Sequence, residues 1–256
     1  MQMGHHNRHY AGDPHSAAGV WSPSTSTANF CEEDYAITLY IAEFINTLTN
    51  LAYIWFALRY PKKQRSNATP GFGLDLMSVS LVVLGINSFI FHATLRHTTQ
   101  YCDEISMFLL GSALIQGVFT INQSLRVRNL MTAAILAIMT VLSAIYIQTG
   151  NILHHVWSFN AMMGLVGLRT MFLIFTGGRP REEKARLLGL FGKAVAVLVV
   201  AYTLWQIDLE KCMELRWIRE ALGLPWAWLL ELHGWWHVLT ALGASRYIRL
   251  IRELSD

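Results

Sequence analysis

Residues 230–243 read LELHGWWHVLTALG, an apolar stretch that carries two histidines four positions apart. In a helix, positions i and i+4 lie on one face, so the imidazoles of His233 and His237 could reach one metal ion. A third candidate is His92, within a second apolar stretch that reads SFIFHATLRH at 88–97. Three histidines and a water molecule are a ligand set typical of catalytic zinc. The alternative is that these histidines lie at a membrane interface beside tryptophans.

The composition indicates an integral membrane protein. Of the 256 residues, 53% are hydrophobic and only 14% are charged, whereas soluble domains average roughly 25% charged residues. A helix that crosses the hydrocarbon core of a bilayer needs about 20 mainly apolar residues. We therefore predict an all-α, polytopic seven-helix transmembrane bundle, with spans at 36–58, 74–95, 104–122, 130–148, 152–176, 187–207 and 227–248.

The predicted organisation is a flexible N-terminal tail at 1–28, a transmembrane domain at 29–251 and a short cytosolic end at 252–256. The start of the chain is polar and lacks the apolar core of about 7–15 residues that a signal peptide requires. This tail is rich in histidine, which could bind metal, although a disordered and dispensable tail is the simpler interpretation.

Lysine and arginine set the expected orientation, because short cytosolic loops are enriched in both. Most of the 20 basic residues follow spans one, three and five or lie at the C-terminus, which places the N-terminus outside the cytosol. The net charge of +3 then reflects topology, and we expect no nucleic-acid partner. On this topology Cys31, Cys102 and Cys212 lie on the non-cytosolic side, where disulfides form. We predict a Cys31–Cys212 bridge, with three free thiols as the alternative.

The same topology brings polar residues of distant segments into one leaflet. They are Ser88, His92, Asp103, His233 and His237. Ser88 shares the helical face of His92, four residues later. A buried polar side chain without a partner costs roughly 1–3 kcal/mol, whereas structural zinc in finger peptides contributes about 10–16 kcal/mol. One ion could therefore offset the burial of all three imidazoles.

Other polar residues near the spans have two interpretations each. His154 and His155 begin span five and are interpreted as interfacial residues, although they could compete as ligands. Asp208 ends span six and either supports the metal site from behind or caps its helix at the surface.

A second group of polar residues precedes and enters span one, where residues 29–44 read NFCEEDYAITLYIAEF. Calcium takes six to eight oxygen ligands from carboxylates, amides and backbone carbonyls, and this stretch supplies such oxygens at Asn29, Glu32, Glu33, Asp34 and Glu43. The alternative is a solvated acidic turn. Glu43 argues against that alternative, because a charge within a span costs about 2.5–3.5 kcal/mol on insertion scales and needs a partner.

Several motifs, taken in order, resemble the alkaline ceramidase family of seven-span membrane hydrolases. They are GVWSPSTSTANFCEEDY at 19–35, YIAEFINTLTNL at 40–51, SFIFHATL at 88–95, YCDE at 101–104, WQID at 205–208 with Cys212 beyond it, and HGWWHVLTALG at 233–243. The resemblance runs nearly end to end. It implies zinc held by His92, His233 and His237, with Ser88 and Asp103 beside it. It also implies calcium at Asn29, the backbone carbonyl of Phe30, Glu32, Asp34 and Glu43.

This chain departs from the family pattern near the implied calcium site. Many members have Asp-Trp where this chain has Asn29-Phe30, and Asn where it has Asp34, so one carboxylate is lost and one is gained. The resemblance implies hydrolysis of ceramide, dihydroceramide or phytoceramide to a sphingoid base and a fatty acid, in the endoplasmic reticulum or Golgi. Zinc would activate water, Ser88 would stabilise the oxyanion and Asp103 would transfer protons. No obligate protein partner is expected.

Seven spans with an external N-terminus also suit a receptor. G-protein-coupled receptors are disfavoured, because span three lacks a terminal DRY and span seven lacks NPxxY. The adiponectin and progestin receptor branch is a nearer alternative with a three-histidine architecture, but its members are generally inverted in the membrane. A zinc transporter should carry polar residues along a whole pathway, whereas here they cluster in one leaflet. A lipase that remodels GPI anchors would cleave an ester with similar ligands.

Overall fold

The computed structural model describes residue 13, residues 15–60 and residues 74–255, so the predicted tail at 1–28 lies partly outside the described residues. Within them, the β-type pairing is limited to an isolated bridge between Thr38 and Ile41, and the prediction of an all-α chain is confirmed. The helices are α1 (Phe44–Thr49), α2 (Leu51–Arg59), α3 (Leu76–Thr94), α4 (His97–Phe119), α5 (Leu125–Thr149), α6 (Ile152–Thr176), α7 (Arg181–Glu210), α8 (Cys212–Leu222) and α9 (Leu232–Ser255), with a 3₁₀ helix at Trp226–Leu230.

Among the described residues, five helices are long and apolar enough to cross a membrane. They are α3 to α7, and they coincide with predicted spans two to six. Helices α1 and α2 have only 6 and 9 residues, too few for either to span a bilayer alone. Helix α9 has 24 residues, but arginines in its second half lower its mean hydropathy. The chain is a helical membrane protein, and its described part contains five candidate spans.

The first predicted span begins too early in the sequence. Residues 36–43 are not helical, and α1 starts only at Phe44, with Glu43 as an extended cap residue at φ −105° and ψ 96°. The backbone N–H of Glu43 donates instead to the carbonyl of His92, at 3.0 Å. The prediction that Glu43 is already helical is therefore wrong, because a contact with a distant segment takes its backbone out of the helix.

Local capping explains the sharp turn between α5 and α6. Gly150 ends α5 in the left-handed conformation, at φ 61°, which glycine adopts without steric cost. The Asn151 side chain then accepts the backbone N–H of Leu153 and caps α6. Two residues thus reverse the chain between adjacent spans.

Helix α8 was not predicted, because its apolar residues alternate with charged ones over a short stretch. It buries Cys212, Leu215 and Arg219. Its opposite face exposes Met213 and Trp217. The chain after the sixth predicted span is therefore an amphipathic helix followed by a 3₁₀ turn at Trp226–Leu230, so the seventh predicted span begins too early and α9 starts only at Leu232.

The chain forms two compact units. One unit contains the chain up to Trp55 together with Gly85–Asp103 and Ala196–Leu242, and the other contains Phe56–Leu84, Glu104–Val195 and the chain from Gly243 onward. The core of the first unit is built from Ala28, Phe30, Tyr35, Ala42, Phe91, Leu95 and Leu209. A core of the second is built from Ile121, Ile174, Leu187, Leu250 and Leu254. All of the predicted site residues belong to the first unit.

A disulfide joins Cys31 to Cys212 in the first unit, with their Cα atoms 5.2 Å apart. The predicted bridge is confirmed, and Cys102 is the exposed free cysteine of the described chain. Two arginines of α8 reinforce the link, because Arg216 Nε and Arg219 Nη2 donate to the Cys31 carbonyl at 3.0 and 2.8 Å. The segment before α1 is therefore fixed to α8 by one covalent bond and two charge-assisted hydrogen bonds.

Candidate metal centre

Three histidines from two helices converge in the first unit. His92 comes from the end of α3, and His233 and His237 come from the first turns of α9. Their ligand atoms lie within 4.8 Å of one another, and all three side chains are buried. Zinc–nitrogen bonds are about 2.0–2.1 Å long, so the ligand nitrogens of one zinc ion lie within about 4 Å of one another. Small movements of the rings would therefore allow all three to bind one ion. This cluster could hold a metal ion.

Glu43 fixes the ring of His92. The Nδ1 atom of His92 donates to Glu43 Oε2 at 2.5 Å, which leaves Nε2 for a metal. Glu43 is completely buried, and its carboxylate also accepts bonds from the backbone N–H of Phe30 at 3.4 Å and from Asn46 Nδ2 at 3.1 Å. A carboxylate behind a histidine is the usual arrangement around protein-bound zinc, where it orients the ring and raises its basicity.

His233 is held by its backbone and by an aromatic neighbour. Its N–H donates to Asp208 Oδ1 at 3.2 Å, while Asp208 Oδ2 accepts the N–H of Cys31 at 3.1 Å. The Phe30 ring stacks on the His233 ring, with centroids 3.6 Å apart. Asp208 is fully buried, so it supports the histidine helix from behind, and the alternative of a surface cap is wrong.

His237 meets a hydroxyl group of α1. Its Nδ1 atom lies 3.0 Å from Thr49 Oγ1. Sequence reasoning missed Thr49, because threonines in apolar helices commonly bond only to their own backbone and no local pattern marks this one.

Ser88 and Asp103 lie in the same unit as the histidines. Ser88 is buried on α3, one turn before His92, and Asp103 is partly exposed near the start of α4. The Tyr53 ring, which belongs to the same unit, has its centroid 6.3 Å from that of His237. The expected helical face of Ser88 and His92 is therefore present on α3.

The acidic segment before α1 is buried rather than solvated. Asn29, Glu32, Asp34 and Glu43 are all buried, and Glu33 is partly exposed. The Glu32 carboxylate accepts the first free N–H groups of α1, at 2.6 and 2.8 Å. Within the described chain, Oδ1 of Asn29 and Oδ1 of Asp34 are buried without a hydrogen-bond partner. Buried oxygens of this kind suit a hard cation.

The electrostatics of the acidic segment also favour a bound cation. Burial, followed by the charges of Glu43 and Asp13, raises the pKa of Asp34 to about 8. Burial and the charges of Glu231 and Glu43 raise the pKa of Glu32 well above its usual value. Closely packed carboxylates repel one another, and a bound cation would relieve that repulsion.

A polar cluster that the sequence did not reveal lies in the second unit. The Tyr146 hydroxyl donates to the Glu104 carboxylate, and His155 Nε2 donates to the Glu104 carbonyl at 3.0 Å. His154 is exposed, as expected of an interfacial residue, but His155 is buried. The interfacial interpretation did not include the internal partner that His155 finds in Glu104.

Comparison with known proteins gives a consistent result. A family model described as Ceramidase matches residues 22–255. Alkaline ceramidase YPC1 of Saccharomyces cerevisiae is 29% identical over 260 residues, which cover 93% of this chain and 79% of that protein. Alkaline ceramidase 3 of Mus musculus is 29% identical over 244 residues, 90% of this chain and 84% of that protein. The family match includes every residue of the histidine cluster and of the acidic segment.

Proposed function

The chain belongs to the ceramidase family and is a membrane-embedded enzyme of that family, and from this premise we propose that it hydrolyses the amide bond of ceramide with a zinc ion. The products are a sphingoid base and a free fatty acid. One observation supports the metal most directly: three buried histidines place their ligand atoms within 4.8 Å in a chain of this family. Dihydroceramide and phytoceramide are substrates of the same chemical class.

The donor set suits zinc. His92, His233 and His237 offer three imidazole nitrogens, which zinc accepts readily, and leave a fourth position for water or substrate. Zinc bound there would lower the pKa of a water molecule toward about 7 and so supply a nucleophile at neutral pH. An ionised Glu43 can only accept a hydrogen bond from Nδ1 of His92, and this selects the tautomer in which Nε2 is available to a metal.

Ser88 and Asp103 have separate roles in the proposed reaction. The Ser88 hydroxyl donates a hydrogen bond to the amide oxygen as negative charge develops on it. Asp103 accepts the proton of the attacking water and delivers it to the departing sphingoid amine. Asp103 suits this work because it is only partly buried, at the start of a span, where protons can reach it.

We further propose a calcium site formed by Asn29, the Phe30 backbone carbonyl, Glu32, Asp34 and Glu43. The partnerless oxygens of Asn29 and Asp34 support this site. Glu32 already accepts two backbone N–H groups, but each carboxylate oxygen has a second lone pair for a cation. Glu43 also contacts His92, so calcium would act on the zinc site through one shared carboxylate.

The proposed topology has seven spans within the domain at 29–251. Helices α1 and α2 together form the first span, interrupted at Asn50, and α9 forms the last. The N-terminus is luminal and the C-terminus cytosolic, as the lysine and arginine distribution favours. The Cys31–Cys212 disulfide agrees with a luminal face of the endoplasmic reticulum or Golgi, because disulfides persist in oxidising compartments.

The test is hydrolysis by the purified protein in detergent. Metal is removed with a chelator, zinc is added back, and free sphingoid base is quantified by mass spectrometry for ceramide, dihydroceramide and phytoceramide. We expect product only with zinc and a nearly complete loss in His237→Ala, whereas the exposed control His154→Ala keeps wild-type activity. Full activity of well-folded, zinc-free His237→Ala would refute the proposal. Lipid binding without product would favour the receptor alternative.

A further inference from the structure

The last residue of α1 touches the proposed metal site from behind. Thr49 Oγ1 lies 3.0 Å from His237 Nδ1. The same oxygen lies 2.9 Å from the carbonyl of Ile45 and 3.0 Å from that of Asn46. Thr49 is thus the junction between the backbone of α1 and one histidine of α9.

The single proton of the Thr49 hydroxyl limits the directions that its hydrogen bonds can have. A threonine hydroxyl has one proton and two lone pairs, and a carbonyl oxygen can only accept. All three contacts can be hydrogen bonds at once only when the Thr49 proton points to the carbonyls of α1. In that arrangement the hydroxyl accepts the Nδ1 proton of His237, and the lone pair of the ring lies on Nε2.

We propose that Thr49 is a positioning residue of the metal centre, which holds His237 in the tautomer and ring orientation that presents Nε2 to a metal. This inference rests on the proposed function, since it requires the histidine cluster to bind an ion. Hydrogen-bond partners behind metal ligands typically contribute 10–100-fold to metal affinity.

Close packing of α1 against α9 supports this role. A Cβ atom at Gly234 would lie 3.1 Å from Ile45 Cγ2 and 3.3 Å from Thr49 Cγ2. The absence of a side chain at Gly234 therefore allows α1 to approach α9 beside the two histidines. The glycine in HGWWH then has a physical role in bringing the Thr49 hydroxyl within reach of His237.

The two ends of α1 act alike. Its cap residue Glu43 contacts Nδ1 of His92, and its last residue Thr49 contacts Nδ1 of His237. One six-residue helix thus orients a ligand from each of the two helices that form the cluster. Glu32 accepts a backbone N–H at the start of α1. The position of His237 therefore depends, through α1, on the order of the acidic segment.

The experiment compares metal affinity in variants of the full-length protein. Thr49→Val and Thr49→Ala remove the hydroxyl, and Thr49→Ser keeps it. Thr120→Val is the matched control, because among the described residues the Thr120 hydroxyl bonds only to the Gln116 carbonyl four positions earlier, at 2.7 Å. Zinc affinity is measured by competition with a chromophoric chelator. The absorption spectrum of the cobalt-substituted protein reports the geometry of the metal ligands.

We expect Thr49→Val and Thr49→Ala to bind zinc about 10–100-fold more weakly and to alter the cobalt spectrum, whereas Thr49→Ser and Thr120→Val match the wild type. Two variants without the hydroxyl are used in case one of them folds poorly. A folding defect would appear as a lower melting temperature of the metal-free protein. If the wild type takes up neither zinc nor cobalt, the metal centre itself is wrong. If the wild type binds metal and the hydroxyl-free variants bind it equally well, or if Thr49→Ser fails as they do, the role of the Thr49 hydroxyl is overturned and the metal centre stands.

Discussion

Replacing Asp208 should loosen two segments at once, because its carboxylate accepts one backbone N–H from each. Asp208 Oδ2 binds the N–H of Cys31 and Oδ1 binds the N–H of His233, at 3.1 and 3.2 Å. His233 is the second residue of α9, where the N–H has no acceptor within the helix. Asp208→Ala deprives two buried donors of their acceptor, at about 1–3 kcal/mol each, so the free energy of unfolding should fall by about 2–6 kcal/mol. Asp208→Asn keeps one acceptor and should lose about half of that.

The assay is thermal unfolding of the purified proteins in one detergent, followed by tryptophan fluorescence. About 2–4 °C per kcal/mol is expected for a chain of this size, so the melting temperature should decrease from wild type to Asp208→Asn to Asp208→Ala. Zinc content should fall in the same order, because His233 loses its backbone anchor. Glu214→Gln removes an exposed carboxylate from α8 and should change neither quantity. A wild-type melting temperature and zinc content in Asp208→Ala would refute this reasoning.

Three further predictions concern the acidic segment and its link to α8. Glu43→Gln should weaken zinc binding about 10–100-fold and also weaken calcium binding, both measured by titration; loss of calcium affinity alone would contradict the contact with His92. Burial raises the pKa of Asp34 to about 8, and calcium binds the ionised carboxylate. Calcium affinity should therefore rise by as much as about tenfold per pH unit up to about pH 8 and then level off. If titrations between pH 6 and pH 9 give the same calcium affinity, Asp34 is not a ligand. Cys31→Ser removes a disulfide that joins residues 181 positions apart and should lower the free energy of unfolding by about 2–5 kcal/mol. The variant should melt at a lower temperature than the wild type, and reduction of the wild-type disulfide should lower its melting temperature to the same value.

The sequence predicted those parts of the molecule that depend on local spacing. Apolar runs of sufficient length marked spans two to six, because a lipid-exposed helix must be apolar along its length. The four-residue spacing of His233 and His237 predicted a shared helical face, and α9 provides it. Topology predicted the third candidate ligand, His92, and the disulfide, because it limits which residues can meet.

Other features were hidden because their causes lie far away in the sequence. The run at 36–58 is apolar enough for a helix, yet residues 36–43 are not helical. The backbone of Glu43 bonds to the carbonyl of His92, and that competing partner cannot be seen in a hydropathy pattern. Likewise, α8 is too short and too mixed in composition to register as an apolar segment.

The hidden polar partners share one physical cause. A polar group inside a membrane bundle must meet another polar group, and those pairs are remote: Glu43 and His92 are 49 positions apart, Cys31 and Asp208 are 177 apart, and Thr49 and His237 are 188 apart. No periodicity within one helix encodes such a pair. A single sequence therefore shows which groups need a partner without showing which partner each one finds.

Helix α1 illustrates what this remoteness means for function. Six residues are far too few for a helix to be stable on its own in water, so the contacts of α1 with Glu32, His92 and His237 account for its order. Two of those contacts are to the side chains of the proposed zinc ligands. The order of α1 and the geometry of the histidine cluster should therefore be gained or lost together, so the acidic segment contributes to the stability of the proposed metal centre.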